Sequence, residues 1–194
     1  MAMATTSFKP TDTAPGGMAG QLIAHFNMQK IPVEGPWFSV TYKSTDSLPV
    51  GALPSRYHGV RLAGSAICAL ETRVDFSALH KLATDEIWHF YGGDPIEMLL
   101  LHPDGHGEIV IIGPDALGGQ HPQFTVPRGV WQGSRPLCNH PAVYSFFGNT
   151  LAPGFEYEDC EIGYRDELQK QYPRFAALIE QLTRPESPSR PRSA

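Results

Sequence analysis

Two short strings of the sequence contain the residue types that acid-base chemistry uses. The first, HKLATDEIWHFYGG, begins at His80 and places Glu86 six residues later, and the second, VPRGVWQ, ends at Gln132. An imidazole exchanges protons near neutral pH, and a carboxylate acts as a general acid or base when its pKa is raised. A side-chain amide can hold a carbonyl or hydroxyl group. These three side chains are therefore the first candidates for a site.

The segment that contains Glu86 has the alternating pattern of a β-strand. Alternation places Glu86, Trp88 and Phe90 on one face and His89 on the opposite face. If the first face lines a pocket, desolvation between two large aromatic rings raises the pKa of Glu86 toward the range that proton transfer needs. His89 is then expected to pack or to contact a partner chain.

The rest of the chain predicts a mostly β body that positions these residues. Its 194 residues include 19 Gly and 18 Pro, and charged residues make up only 18%, which is typical of a turn-rich chain. Short runs bounded by turn formers follow one another without an intervening helix, which favours an antiparallel sandwich or barrel. The predicted strands are 37–43, 64–71, 86–91, 96–101, 108–112, 123–126 and 143–151. A short amphipathic helix is predicted after Pro15, and one or two helices after Gly163.

The domain organisation predicted from composition is a single domain with two tails. Residues 1–14 and 184–194 are small, polar or Pro-rich and are predicted to be disordered, which leaves one domain over residues 15–183. Residues 45–59 form a longer connection than is usual in a compact domain. This segment is either a mobile loop or a lid over a site.

Charge and cysteine content exclude several classes of partner. With 15 Lys and Arg against 20 Asp and Glu, the formal net charge is -5, so we expect neither nucleic acid nor an anionic membrane as a partner. No apolar run approaches the roughly eighteen residues of a membrane span. Cys68, Cys138 and Cys160 are odd in number and lack metal-ligand spacing, which indicates thiols in a reducing compartment. We therefore expect a cytoplasmic protein.

The two strings resemble the motifs of the cupin superfamily. Its first motif runs H-x-H, then Glu, then Gly, and its second runs P-x-G-x-x-H. The strings GPWF, ALH, DEIWHF, GDP, VPRGVWQ and APGFEYED are more closely similar to a small cupin family, cupin 5 or DUF985, over roughly residues 20–183. The resemblance implies an all-β double-stranded β-helix, a jelly roll, with a short N-terminal helix and C-terminal helices, usually seen as a homodimer.

Two of the four metal-ligand positions of metal-binding cupins differ in this chain. The second His of the H-x-H motif is Leu82 and the third ligand His is Gln132, which leaves His80 and Glu86. An amide oxygen is a poor substitute for imidazole at iron, nickel or zinc. We therefore expect no tightly bound metal cofactor. A weakly bound divalent metal held by His80, Glu86 and Gln132 is the option that remains.

The resemblance turns the Glu86 face toward an interior pocket that takes a small-molecule substrate. The leading hypothesis is a metal-independent enzyme, of the isomerase, epimerase, dehydratase or cyclase type, that moves a proton on a small, fairly apolar organic substrate. The expected catalytic residues are Glu86 and His80. The expected substrate-binding residues are Gln132, Trp88, Phe90, Ser65, Leu82 and Asn149.

Two other functions fit the same residues. In a non-catalytic small-molecule-binding protein, Glu86 is a hydrogen-bonded buried carboxylate, and Trp88 and Phe90 are plain core. In a metal-dependent dioxygenase or lyase, His80, Glu86 and Gln132 are the ligands. A bound molecule released unchanged favours the first alternative, and a stoichiometric metal lost from a His80→Ala variant favours the second.

We predict that the chain forms a homodimer, as the resemblance implies and because a jelly roll of this kind exposes edge strands. Light scattering of the full chain at micromolar concentration should give twice the mass of one chain. A monomeric mass would contradict the prediction.

Overall fold

The computed structural model describes residues 15–184 and shows strands throughout this range. The tails expected to be disordered, 1–14 and 184–194, lie outside the described residues except for Arg184. The strands are β1 (Gln29–Lys30), β2 (Trp37–Lys43), β3 (Ser47–Leu48), β4 (Arg61–Leu62), β5 (Ser65–Thr72), β6 (Ser77–Leu82), β7 (Glu86–Gly93), β8 (Ile96–Leu101), β9 (Gly107–Ile112), β10 (Gln123–Val126), β11 (Trp131–Pro136), β12 (Tyr144–Leu151) and β13 (Cys160–Ile162).

The strands form two large antiparallel sheets and one small one. The six-stranded sheet has the order β1-β2-β5-β12-β7-β10, and the five-stranded sheet has the order β13-β6-β11-β8-β9. Strands β3 and β4 pair with each other. Strands that are consecutive in the chain, such as β5 and β6 or β7 and β8, fall in different large sheets, so the chain crosses between the sheets repeatedly. This arrangement confirms the predicted all-β jelly roll.

Two strands that carry predicted site residues have weak sequence signals. The run pattern does not predict β6, which contains His80, or β11, which contains Gln132. The β11 sequence WQGSRP includes Gly, Ser and Pro, which disfavour strands. A Cβ atom at Gly133 would lie 2.8 Å from the Leu79 side chain. Close packing between β6 and β8 therefore establishes β11 against its local propensity.

The main core lies between the two large sheets. Trp88 of β7 stacks on Phe147 of β12 with ring centroids 4.6 Å apart. Removal of apolar side chains from water is the main source of stability for such a core. The other buried members of this cluster are Ala69, Ile96, Met98, Leu100, Ile112, Val126 and Val130.

Helices cover the outer faces of both large sheets. Helix α1 (Gly17–His25) buries Ile23 against Leu70 of the six-stranded sheet. Helices α2 (Arg165–Gln171) and α3 (Ala176–Gln181) pack apolar residues on the five-stranded sheet. The predicted N-terminal and C-terminal helices are confirmed. Within residues 15–184, no helix has the length and apolar character to cross a membrane.

A buried arginine ties residues 45–62 to the segment that follows β12. Arg61 is 2% exposed. Its Nε donates to Oδ2 of Asp159 at 2.6 Å and its Nη2 donates to Oδ1 of the same carboxylate at 2.7 Å. The Nη2 atom also donates to Oε1 of Glu158 at 2.5 Å. A bidentate contact of this kind adds directional specificity to the ion pair, so the two segments are held in one arrangement.

We predict that Arg61→Met lowers the free energy of unfolding by about 3 kcal/mol, because it leaves the Asp159 carboxylate buried without its partner. Urea unfolding measures the change. The matched control is Arg128→Met, which breaks a 3.8 Å pair with Asp85 in which both side chains are about half exposed. The control should cost less than about 1 kcal/mol. Equal losses in the two variants would show that the Arg61 contacts are no more stabilising than an exposed pair.

Candidate functional site

A cavity of about 290 Å³ lies between the two large sheets. Strands β2, β5, β7 and β12 line it on one side, and β6 lines it on the other. The turn between β1 and β2 and residues 155–157 complete the wall. Most of the lining is apolar. Its polar side chains away from solvent include Glu34, His80, Glu86 and Asn149, whereas Lys43, Glu156 and Tyr157 are exposed at the mouth. A few polar groups in an apolar wall are typical of a small-molecule site.

The structure brings six of the eight predicted site residues to this cavity. Glu86, His80, Trp88, Ser65, Leu82 and Asn149 all line it. Gln132 and Phe90 do not belong to the lining. Because β12 is distant in sequence from β6 and β7, and because β6 and β7 belong to different sheets, only the pairing of the sheets places these side chains together.

Gln132 lies behind Glu86 instead of in the wall of the cavity. Its Nε2 donates to Oε2 of Glu86 at 2.6 Å, and the Trp88 indole N–H donates to Oε1 of Gln132 at 3.0 Å. The indole also lies 3.1 Å from Oε2 of Glu86. An indole N–H only donates, so the amide oxygen must face it and the amide N–H must face the carboxylate. In this structure the Gln132 amide orients Glu86, and its expected contact with substrate stays a prediction.

Phe90 shares a face of β7 with Glu86 but lies farther along the strand. It pairs with Phe147 across the sheet and packs against the main core, and its expected contact with substrate stays a prediction. The register shifts just beyond it, next to Tyr91. His89 lies on the opposite face, as alternation predicts, where its Nε2 is 3.1 Å from the Thr150 hydroxyl.

Glu34 is a cavity residue that the sequence motifs do not indicate. Its Oε1 lies 3.9 Å from Nδ1 of His80 and accepts a hydrogen bond from the Ser77 hydroxyl at 2.7 Å. The only signal in the sequence is its position directly before the GPWF string. The preceding residue, Val33, has φ of 68°, a conformation that β-branched residues rarely adopt. A strained turn therefore directs this carboxylate toward the cavity.

His80 presents one nitrogen to a bound molecule. Its Nδ1 lies 2.8 Å from the carbonyl oxygen of Ala78. A carbonyl only accepts, so Nδ1 carries a proton and Nε2 is the nitrogen left for other partners. Burial lowers the pKa of His80, but the negative charges of Glu34 and Glu86 outweigh burial, and the net effect is a raised pKa.

Glu86 titrates near neutral pH. Burial raises its pKa to about 7. The charge of His80 opposes that rise, the nearby Glu34 carboxylate adds to it, and the hydrogen bonds from Gln132 and Trp88 favour the ionised form. A carboxyl with a pKa near neutrality and an imidazole on the same cavity can act as a general acid and a general base.

Asn149 and Ser65 differ in how their polar groups are used. The amide Nδ2 of Asn149 is buried and has no hydrogen-bond partner within the part of the chain that the structure describes. Buried donors are normally satisfied, so this one is available to an acceptor in the cavity. The Ser65 hydroxyl instead accepts a hydrogen bond from the backbone N–H of Phe155 at 2.9 Å and so holds the cavity rim.

The rim is formed by residues 155–157, and no residue of 45–59 lines the cavity. The 45–59 segment packs alongside, where the Tyr57 hydroxyl lies 2.7 Å from the Thr84 hydroxyl. Arg61 then connects it to Asp159, two residues beyond the rim. In the described structure this segment supports the rim from outside and does not cover the cavity.

The donor set does not fit the transition metal that many cupins hold. The Gln132 oxygen accepts the indole N–H, Oε2 of Glu86 accepts two hydrogen bonds, and Nδ1 of His80 is protonated. Of the three expected ligands, only Oε1 of Glu86 and Nε2 of His80 remain. Across residues 15–184, no three His, Cys, Asp or Glu side chains form a group that could hold a metal ion. Two protein ligands are fewer than catalytic metal sites normally use.

A second buried acid lies apart from the cavity lining. Glu71 of β5 is fully buried, and the Ser134 hydroxyl donates to its Oε1 at 2.5 Å. Its Oε2 has no hydrogen-bond partner among residues 15–184. Burial raises the pKa of Glu71 to about 8. This group is therefore mostly protonated at neutral pH.

We predict that Glu71 makes stability depend on pH. Its pKa of about 8 in the folded state lies above the unfolded value of about 4.3. Protonated Glu71 therefore stabilises the folded protein relative to its ionised form. This contribution to the free energy of unfolding is fully present below the unfolded pKa and is lost as the pH rises through the folded pKa. Between about pH 6 and pH 9, the unmodified protein should lose about 3 kcal/mol more of its free energy of unfolding than Glu71→Gln does. Urea unfolding at both pH values measures this.

The control for that measurement is Glu180→Gln on the exposed side of α3, which should keep the pH dependence of the unmodified protein. An unchanged pH dependence in Glu71→Gln would show that Glu71 ionises in the folded protein as it does in the unfolded chain.

Comparison with solved structures identifies two similar proteins of nearly the same length. A protein from Shewanella oneidensis is 29% identical with a TM-score of 0.75, and the match covers 87% of this chain and 98% of that chain. A hypothetical protein from Leishmania major is 27% identical with a TM-score of 0.75, and the match covers 86% of this chain and 99% of that chain. No curated protein matches the sequence.

A more distant likeness extends to another group with the same fold. A cupin 2 conserved barrel domain protein from Rhodopseudomonas palustris is 13% identical with a TM-score of 0.52, covering 78% of this chain and 85% of that chain, which shows the fold alone. The family model described as cupin superfamily (DUF985) matches residues 20–163. This match spans most of the chain, including both motif strings and the strands that line the cavity. The chain therefore belongs to the DUF985 family of the cupin superfamily.

Proposed function

We propose that this cupin is a metal-independent enzyme that moves a proton on a small organic substrate, as an isomerase, epimerase, dehydratase or cyclase does. The observation that carries the proposal is the pair formed by Glu86 and His80. Both side chains are buried, both line one cavity, and both have a raised pKa, that of Glu86 to about 7. A pair of groups tuned in this way supplies the acid and the base that a proton shift needs.

Glu86 is the group proposed to take or give the proton. Gln132 and Trp88 hold its Oε2, which leaves Oε1 as the oxygen free to react. His80 approaches from the other sheet with Nε2 free, so a substrate between β7 and β6 meets both groups. Removal of a proton next to a carbonyl builds negative charge on the oxygen. The Nδ2 group of Asn149, which has no hydrogen-bond partner among residues 15–184, can donate to that oxygen.

Glu34 is proposed as a positioning residue for His80. Its carboxylate lies 3.9 Å from Nδ1, on the side of the ring away from the free Nε2. A carboxylate at this place stabilises the imidazolium that forms when Nε2 takes a proton. The apolar remainder of the wall limits access of water, which strengthens these electrostatic effects.

A homodimer is part of the proposal. Among residues 15–184, β1 pairs with β2 only at Trp37 and Phe38, so the rest of the β2 edge has no neighbouring strand on that side. Val40 is 47% exposed and Tyr42 is 53% exposed on this stretch. Proteins usually cover an edge of this kind. Val40 also lines the cavity, so a partner seated on the edge would lie near the cavity mouth.

The proposed chemistry can be tested before the substrate is known. A metabolite extract is incubated in deuterated water with the full chain and, separately, with Glu86→Gln, and is then analysed by mass spectrometry. If the enzyme moves a proton, a metabolite should be labelled or converted by the unmodified protein and not by the variant. The reason is that the Gln side-chain amide cannot act as a general acid or base toward the substrate. His89→Gln, on the opposite face of β7, is the matched control and should stay active.

Several results would overturn the proposal. Full activity in Glu86→Gln would remove the carboxylate from the mechanism. A metabolite that is bound and released unchanged would favour a non-catalytic binding protein. Activity that disappears with a chelator and returns with added metal would favour a dioxygenase or lyase that uses His80, Glu86 and Gln132.

A further inference from the structure

Carboxylates dominate the charge of the cavity lining. Glu34 and Glu86 flank His80 from two sides, and their side chains are mostly buried. When both carboxylates are ionised, the three groups together are negative whether His80 is protonated or neutral. At the exposed mouth of the cavity, the positive charge of Lys43 offsets the negative charge of Glu156. An anionic ligand is repelled at this end of the cavity, and a cation is attracted.

The turn that carries Glu34 is built to keep the carboxylate in this place. The backbone carbonyl oxygen of Glu34 accepts hydrogen bonds from the Ala78 N–H at 3.0 Å and from Nε of Arg184 at 3.2 Å. The residue before Glu34, Val33, has a strained positive φ of 68° in the same turn. Strain of this kind persists only where surrounding contacts enforce it, and such positions cluster at ligand sites.

Aromatic rings surround the same space. Five of them belong to the lining, from three strands of the six-stranded sheet and from the rim. The face of an aromatic ring attracts a cation, and this attraction grows when the pair is removed from water. Aromatic rings combined with buried carboxylates are the groups that recognise ammonium compounds. The five rings are Phe38, Trp88, Phe147, Phe155 and Tyr157.

Asn149 supplies an independent indication of a ligand. It is 3% exposed, it lines the cavity, and its Nδ2 has no partner within the described range. An ammonium group cannot satisfy this donor. The ligand must therefore also carry an acceptor, such as a hydroxyl or carbonyl oxygen.

We propose that the cavity binds a small organic ammonium compound that carries a hydroxyl or carbonyl oxygen. The ammonium group lies beside Glu34 and Glu86, the oxygen accepts from Asn149, and the apolar body contacts the aromatic wall. A cavity of about 290 Å³ suits an amino alcohol or amino carbonyl compound of modest size. This inference rests on the proposed function only in placing substrate in the same cavity, and it names the class of that substrate.

The test compares three probes of nearly equal shape by calorimetry on the full chain. Choline is cationic, and neohexanol (3,3-dimethylbutan-1-ol) is its neutral analogue. The anionic analogue is the carboxylate tert-butylacetate (3,3-dimethylbutanoate). The measurement is made near pH 8, above the Glu86 pKa of about 7. Choline should bind at least about tenfold more tightly than neohexanol, and tert-butylacetate should bind more weakly than either.

Variants locate the site of that preference. Glu34→Gln should reduce the preference for choline over neohexanol to less than about threefold, because it removes one of the two carboxylates. Asn149→Leu should weaken choline and neohexanol alike, because both carry the hydroxyl. Glu108→Gln, which changes charge on the exposed side of β9, should leave all three affinities unchanged. The three-probe comparison on the unmodified protein stands even where a variant fails to fold.

Equal or tighter binding of neohexanol or tert-butylacetate overturns the inference, and so does the absence of choline binding. Failure of the proposed chemistry gives a different result. A clear preference for choline without any deuterium exchange keeps the cation site and removes the enzyme. Glu86-dependent exchange on a neutral or anionic metabolite keeps the enzyme and removes the cation site.

Discussion

The arrangement of the site depends on how the fold accommodates one buried carboxylate. Glu86 lies between two sheets, where an ionised carboxylate without donors is costly. Trp88 and Gln132 donate to one of its oxygens, and His80 places a basic group on the same cavity. These contacts satisfy the acid without fully stabilising its charge, so its pKa settles near neutrality. This arrangement requires β7, β11 and β6 to keep their relative positions, because each strand carries at least one of the side chains around the Glu86 carboxylate.

The cavity stays open inside a packed jelly roll because the core, the helices and two loop segments support its wall. The core of Phe147 and its neighbours fills the space beyond Trp88, and helices cover the outer faces of both sheets. Arg61 holds the segment next to the rim through a buried ion pair with Asp159. The turn before β2 brings Glu34 in from the other side. Glu86, His80 and Asn149 are therefore attached to paired strands, which hold side chains more precisely than loops do.

Membership of the DUF985 family accounts for the fold, and the substituted positions account for the chemistry proposed for this chain. Leu82 and Gln132 stand where metal-binding cupins use histidine, and the latter has become a hydrogen-bond partner of Glu86. A scaffold that can bind a metal can thus present a carboxylate and an imidazole for proton transfer. Because one fold hosts many functions, this conclusion depends on the geometry of the site and not on the likeness of the fold.

The sequence by itself determined the features that local pattern encodes. Alternation identified β7 and placed Glu86 and Trp88 on one face, turn residues bounded β8, and the motif strings showed that two ligand histidines are missing. Only the tertiary structure decided that Glu34 reaches His80, that Gln132 lies behind Glu86, and that Phe90 belongs to the core. Strand periodicity and turn preference act between near neighbours, whereas β6, β11 and the Glu34 turn are positioned by packing between segments distant in sequence. No local pattern records those contacts.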